Sequence, residues 1–458
     1  MKNVIPWMAG LLLALTLSPV ITMGADFGPD EWLQYRLNSD KNAVFDNGSE
    51  PLDNQIFETE DEIRSTPVVV GNKLFVGNHN TGDLFAFDLE TGEQLWHNQA
   101  PNWVHSEMIY HEGTVFVGFG NRYFQDSGVR GTEESGVLAL DAESGDILWK
   151  YDTEGEVMPT PAYYNGHIYA ATGDKHIYQL DDETGELINK SSIDHVVSMS
   201  SPTIKEDTLY VGSGRPSPYT FSAYDLTNDE FKWQTEFPDV FAGLDDVPPA
   251  VSDGVVVTTA LTGDSDNPEH WLYALDAETG ERLWEKSLGT GDFVKNNKSG
   301  APIIYEDKIF VGSPITKTFY AYDLKSGEKL WEFENEVMKA PPVAQDGIVY
   351  FSNTKGMVYA LDAKSGELKG EKELNGTLAP SGPIIMNDTL IVGSQDSNVY
   401  AVPLSEFNLK EESGQDSPVK NEKANSDESN NMMQYVIVAI LAILLIGLLV
   451  YMYKRKRS

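Results

Sequence analysis

An oxygen-rich cluster is the first place in this sequence where chemistry could be done. Asp264, Asp266, Asn267 and Glu269 fall within six residues, and hard oxygen donors at that density suit calcium. Their spacing fits no EF-hand register, so the same stretch also reads as a solvated acidic loop. The eight histidines form no HExxH and no paired metal spacing, and His105 and His111, which flank a strand, read as structural. There is no GxSxG and no P-loop. There is no cysteine, which excludes disulfides, Cys-ligated zinc and thiol nucleophiles. No position can therefore be given a catalytic role. A second group suits recognition: Trp103, Arg122, Tyr123, Phe124, Arg130 and Trp271, the aromatic and arginine side chains that engage protein or glycan. The same residues can equally pack on their own neighbouring loops.

These side chains must be positioned by a repeat. An alternating apolar strand ends in Asp and is followed by x-x-[ST]-G-[ED]-x-x-Trp, as in LFAFDLETGEQLW, VLALDAESGDILW, LYALDAETGERLW and FYAYDLKSGEKLW. Looser copies are IYQLDDETGELIN, FSAYDLTNDEFKW and VYALDAKSGELKG, and a half-copy, VYAVPLSEF, ends the series. The Asp positions are 88, 141, 181, 225, 276, 323 and 362, with Pro403 in the eighth place. The gaps of 53, 40, 44, 51, 47, 39 and 41 residues bracket the period of four-stranded propeller blades. In the unit around Asp323, SGAPIIYED, KIFVGS, FYAYDL and KLWEFE read as strands A to D. The Asp-x-x-[ST]-Gly stretch is the C–D turn, where Gly supplies a positive φ and the Asp and Ser/Thr side chains bond the turn backbone.

Trp96, Trp149, Trp233, Trp284 and Trp331 each follow their Asp by eight residues, a placement expected to dock each indole between neighbouring blades. Asn189 and Gly370 stand in that place in two copies, so those junctions should be weaker. The last unit lacks a strand D, while Gln55-Ile56-Phe57-Glu58-Thr59 precedes RSTPVVV as Trp149-Lys150-Tyr151-Asp152-Thr153 precedes MPTPAYY. Residues 54–59 are thus expected to complete the eighth blade and close the ring. The expectation is an all-β, eight-bladed propeller over residues 31–404.

The longest gaps come from insertions between strands B and C, Gly120 to Gly136 and Thr262 to His270, with a shorter one from Gly214 to Thr220. B–C loops share a face with the D–A segments Asn98 to Val104 and Pro238 to Val247, so a ligand is expected there.

The ends read as a membrane tether. Residues 1–25 have the layout of a secretory signal peptide, with Lys2 before an apolar stretch and Gly24-Ala25 as a cleavage region. Residues 405–431 form a polar stalk. Residues 435–453 are uncharged and long enough to span a bilayer, and the basic 454–458 mark a cytoplasmic end. The propeller is then extracytoplasmic. Sequons at Asn47, Asn189, Asn297, Asn375 and Asn387 are compatible with glycosylation there. With 71 acidic against 33 basic residues and a net charge of −38, nucleic acid and anionic lipid are poor partners.

The recurring A-[LF]-D-x-x-[ST]-G-x-x-x-W resembles the PQQ-type tryptophan-docking repeat of the quinoprotein-like, BamB-like propellers, and Trp32 to Arg36 with Asn42 is similar to their lead-in. The resemblance covers about residues 31–404. It implies one of two functions. Quinoprotein alcohol and glucose dehydrogenases hold pyrroloquinoline quinone and calcium on the propeller axis; BamB-like members use the same blades as a binding scaffold without cofactor. This chain lacks the adjacent cysteines of the methanol dehydrogenase type, the haem motif and the lipobox, and has little insertion to roof a cofactor. The scaffold reading follows: a non-enzymatic cell-surface module that recognises protein or polysaccharide, with no cofactor expected and a PQQ- and calcium-dependent dehydrogenase as the alternative.

Overall fold

The computed structural model describes residues 31–46 and 50–407. The expected leader, the membrane span, the basic tail, Asn47 and nearly all of the stalk lie outside the described residues. Among those described, no helix is long and apolar enough to cross a membrane.

The described residues form eight antiparallel sheets of four core strands each, in sequential order. This is the expected eight-bladed propeller. Blade 1 shows the plan: strands A to D are Val68–Val70, Lys73–Gly77, Asp83–Asp88 and Gln94–Gln99. Strand A is buried throughout and lines the bore, whereas strand D alternates exposed and covered positions at the rim. The apolar core lies between blades: Tyr210 and Phe221 of blade 4 pack with Val256 and Tyr273 of blade 5. Gln55–Glu58 pairs antiparallel with Asn398–Pro403, Phe57 opposite Val399, and supplies the missing outer strand of blade 8. The ring is closed as expected, with first and last strands in one sheet.

The tryptophans dock between blades. Trp96 donates its indole N–H to Ala142 O of the next blade at 3.0 Å, and Trp149, Trp233, Trp284 and Trp331 repeat the bond to Asp182, Ala277, Leu324 and Ala363. Each indole lies on the C–D turn glycine of that blade. A Cβ on Gly145 would sit 2.6 Å from the Trp96 ring, and Gly185, Gly280, Gly327 and Gly366 are equally tight. A bulge just before the tryptophan sets it opposite a small residue of its own strand C, Ala86 for Trp96 and Ala139 for Trp149. The Ala, the Gly and the Trp of the motif are thus one packing unit. At the ring closure Gln55 takes the indole's place: its amide donates to Leu89 O at 2.8 Å and accepts from Gly92 N at 2.6 Å.

One element was not anticipated. Residues 32–45 run around one end of the bore and bond the inner strands of seven consecutive blades. Trp32 exchanges backbone bonds with Tyr110 of blade 2; Leu33 O, Ser39 O, Asp40 O and Ala43 O accept from Tyr163, Val251, Ile304 and Ile385 of blades 3, 5, 6 and 8. Where the backbone does not reach, a side-chain amide replaces it. Gln34 brackets Ile204 of blade 4, and Asn42 brackets Ala344 of blade 7. The turns this needs place Arg36, Leu37 and Lys41 at φ of 53°, 68° and 65°. The fully buried Arg36 is held by Glu107 Oε2 on its N–H, and by Lys41 O and Pro342 O on its guanidinium. This segment plugs the bore at the face of the A–B and C–D turns.

A second departure concerns blade 5. Thr262 to His270, expected as an inserted loop, is an extension of the B–C hairpin: Val255–Gly263 pairs with Pro268–Asp276 around the turn 264–267. The alternation simply continues, with Leu261, His270 and Leu272 buried. The D–A segment then contributes the short strand Val240–Ala242 against Leu261 and Thr262.

Candidate functional site: a blind axial funnel

With one end plugged, the bore formed by the described residues opens at the face of the B–C loops and D–A segments. There it widens into a funnel of about 600 Å³. A narrower cavity beneath it, sharing Arg64, His105 and Met199 with the funnel, reaches Tyr35 of the plug. The funnel wall is rich in charge. Arg64, Arg122, Arg130, Arg215 and Lys298 face Asp245, Asp246 and Asp264 across it.

Three of these cations are already paired. Arg130 is buried and bonds the fully buried Glu156, with Ser198 O at 3.1 Å. Burial pushes the Glu156 carboxyl up to about 7, and Arg130 offsets part of that rise. Lys298 meets Asp246 at 2.7 Å, a contact that holds Asp246 low while burial and Asp246 itself push the neighbouring Asp245 up. Arg64 lies 3.3 Å from Glu62. Arg122 is different: it reaches across the mouth from blade 2 to Asn296 Oδ1 at 2.8 Å, between blades 5 and 6. On the wall behind, His79 is 4% exposed, sits 4.9 Å from the Trp103 ring and 5.2 Å from His105, and its Nδ1 has no partner. Burial, reinforced by Arg64, holds His79 down to about 3, and burial also holds His105 well below the usual imidazole range, so both rings are neutral.

The expected recognition residues divide accordingly. Arg122, Phe124 and Arg130 line the funnel. Tyr123 is 53% exposed and stands 5.4 Å from Trp103, which packs behind the wall. Trp271 does not join them: it lies on strand C of blade 5, half-buried against Tyr273 and the apolar cluster between blades 4 and 5. Arg130 is a buried hub that fixes its loop, since its backbone also bonds Gly173 and Glu156. Of the oxygen-rich cluster, Asp264 reaches the funnel rim but spends one oxygen on the N–H groups of Asp266 and Asn267, and Glu269 is turned to Ser287 Oγ at 2.5 Å. Among the described residues no three His, Asp or Glu side chains converge as a metal site.

His105, read as structural, lines the funnel while remaining neutral and buried. Arg64, His79, Arg215 and Lys298 were not singled out in sequence. Arg64 and Lys298 lie in D–A segments and His79 and Arg215 in B–C loops, so the face rule that found Gly120–Gly136 covers all four. Asn375 is exposed, whereas Asn387 is buried, so only the first of these two sequons is open to modification.

A family model described as outer membrane protein assembly factor BamB, built on the PQQ-type repeat, matches residues 46–133, 118–215 and 190–406. The chain belongs to this family. Among curated relatives of this BamB-type propeller, the tetrathionate hydrolase of Acidithiobacillus ferrooxidans is 26% identical over 83% of this chain and 87% of its own. BamB of Yersinia pestis is 23% identical over 73% of this chain and 83% of its own. The crystal structure of BamB from Moraxella catarrhalis superposes with a TM-score of 0.59 at 16% identity, covering 76% of this chain and 98% of that one. The quinohemoprotein alcohol dehydrogenase of Comamonas testosteroni gives 0.61 at 14%, covering 86% and 83%. These two likenesses are of fold alone.

Proposed function

We propose that this chain is a non-enzymatic, membrane-tethered binding propeller of the cell envelope that recognises a protein partner at the funnel face. The observation that carries the reading is the asymmetry of the ring. One face is plugged by residues 32–45, and both described ends of the chain lie there: Glu31 meets His111 beside the A–B turn of blade 2, and Phe407 packs on Tyr350 of blade 7. The opposite face carries the enlarged loops, the exposed Tyr123 and Phe124 and the funnel mouth. Recognition at the funnel mouth thus falls on the face away from both described ends. A signal peptide at residues 1–25 and a span at residues 435–453, as expected from the sequence, would fit attachment. The description of the matching family supports a role in envelope assembly.

A second reading has a specific observation behind it. A blind cavity lined by Arg64, Arg122 and Arg215 suits a small anion, and the relative that aligns over 83% of the chain carries the name tetrathionate hydrolase. The same funnel fits a calcium-held quinone poorly, because Asp246 is neutralised by Lys298 and Asp264 is committed to its own turn.

The test pairs two measurements on the full chain. A photo-crosslinker at position 124 should capture a discrete envelope protein that the same probe at position 205, on the plugged face, does not. Turnover of tetrathionate, or saturable binding of PQQ with calcium and dye-linked oxidation of alcohols or sugars, would instead make the funnel an active site.

A further inference from the structure

The funnel does not end at its rim. A side cleft of about 410 Å³ continues from it outward over blade 3, sharing Phe124 and Arg215 with the funnel. Its origin lies in loop lengths. Blade 3 has a tight B–C turn, residues 172–175, between its strands His167–Ala171 and His176–Asp181. The blades on either side carry the Gly120–Gly136 loop and the 214–218 loop, which stand as walls. Phe124 forms one wall, Pro216 and Ser217 the other, and Lys175 lies between them.

Two properties define what this cleft takes. It is mostly apolar, with an exposed phenylalanine facing an exposed proline. Its charged groups are both cations, Lys175 and Arg215, neither of them paired with a carboxylate among the described residues. In a chain of net charge −38, a cleft whose only charged lining groups are two unpaired cations is a local reversal of sign.

We propose that the cleft over blade 3 binds an extended acidic segment of a partner polypeptide, with an apolar side chain between Phe124 and Pro216 and carboxylates at Arg215 and Lys175. This deepens the protein-recognition reading and rests on it. A polypeptide is favoured over an acidic polysaccharide because the track alternates an apolar pocket with cations. A peptide can project an apolar side chain into the pocket between its carboxylates; a polyuronate carries a carboxylate on every ring and no projecting apolar group.

The probe is a fluorescein-labelled Glu-Glu-Leu-Glu-Glu peptide, with Lys-Lys-Leu-Lys-Lys and an alginate oligomer as the other arms, titrated against the full chain by anisotropy. The acidic peptide should bind best. The double variant Lys175→Glu/Arg215→Glu should weaken it at least tenfold, Phe124→Ala should weaken it severalfold, and Lys205→Glu on the plugged face should leave it unchanged. An unaltered melting temperature in each variant confirms folding. Equal binding of the lysine peptide, tighter binding of alginate through the same residues, or indifference to the double variant overturns the proposal. If the double variant still yields the same crosslinked partner from position 124, the acidic-segment inference fails while protein recognition at this face stands.

Discussion

At the scale of single residues, the docking unit makes a signed prediction. Gly145 has φ +74° and lies under the Trp96 ring. Gly145→Ala adds a left-handed alanine and a Cβ too close to the indole, so it should destabilise the fold by about 1–3 kcal/mol. The equivalent position before blade 4's strand D is Asp229, also left-handed at φ 56°, but the residue docking there is Asn189, which faces Gln179 where the other blades have Ala. Small, aromatic and flexible residues have been lost together at that junction. Asp229→Gly should therefore be neutral or stabilising by a few tenths of a kcal/mol. Denaturant midpoints of the two variants check both signs. The turn aspartates add a pH dependence. Backbone and side-chain hydrogen bonds from the following residues hold Asp88, Asp141, Asp276, Asp323 and Asp362 below the usual carboxylate range. A depressed folded pKa stabilises above the unfolded value, about 3.9, and that stabilisation is lost as pH falls through the folded one. Glu107 and Glu156, raised by burial to about 7, act in the opposite sense, adding stability as pH falls from there toward 4.5. The melting temperature should thus fall steeply only below about pH 4, and Asp276→Asn should make that fall shallower while lowering the value at neutral pH.

At the scale of elements, the plug is the least legible part of the sequence and the most consequential. Strands and turns announce themselves because each copy of the repeat carries the same alternation and the same Asp-x-x-[ST]-Gly. Closure was legible because Gln55 to Thr59 could be aligned with a complete strand D. WLQYRLNSDKNA has no such copy. Its conformation is dictated by seven inner strands that the linear sequence does not show, and the two amides that bracket blades 4 and 7, Gln34 and Asn42, are not set apart from the neighbouring Asn38 and Ser39 by any local pattern. The funnel was half-legible for the same reason. Loop lengths pointed to the face on which the funnel opens, but Arg64 and Lys298 of D–A segments and His79 of a B–C loop line it with Arg122 only once the ring brings those distant segments around one axis. Trp271 misled because an extended hairpin and an inserted loop have the same length. If residues 32–45 clamp the blades as their bonds indicate, Asn42→Ala should be costly. It leaves the N–H and C=O of Ala344 unpaired in the bore, about 1–3 kcal/mol for each buried group. The midpoint of urea unfolding should drop while its slope stays constant, because the surface exposed on unfolding is unchanged.

At the scale of the whole molecule, charge sets two salt dependences of opposite sign. With 71 acidic and 33 basic residues, at least 38 carboxylates have no basic residue to pair with. The ion pairs that do form are mostly exposed, such as Lys150 with Glu134 and Lys329 with Glu332, and pairs of that kind contribute little. Self-repulsion therefore dominates the electrostatics of the folded ring. Raising salt from about 0.01 M to about 1 M shortens the screening length from roughly 30 Å to 3 Å and should raise the melting temperature. The cleft over blade 3 responds the other way. There Lys175 and Arg215 attract the ligand, so the same salt should weaken binding of the acidic peptide. A chain whose stability and binding both fell with salt would place its acidic residues in specific stabilising contacts. Rising stability with falling binding places the repulsive charge over the ring and the attractive charge in one track across it. Calorimetric melts and anisotropy titrations over one salt series decide between the two.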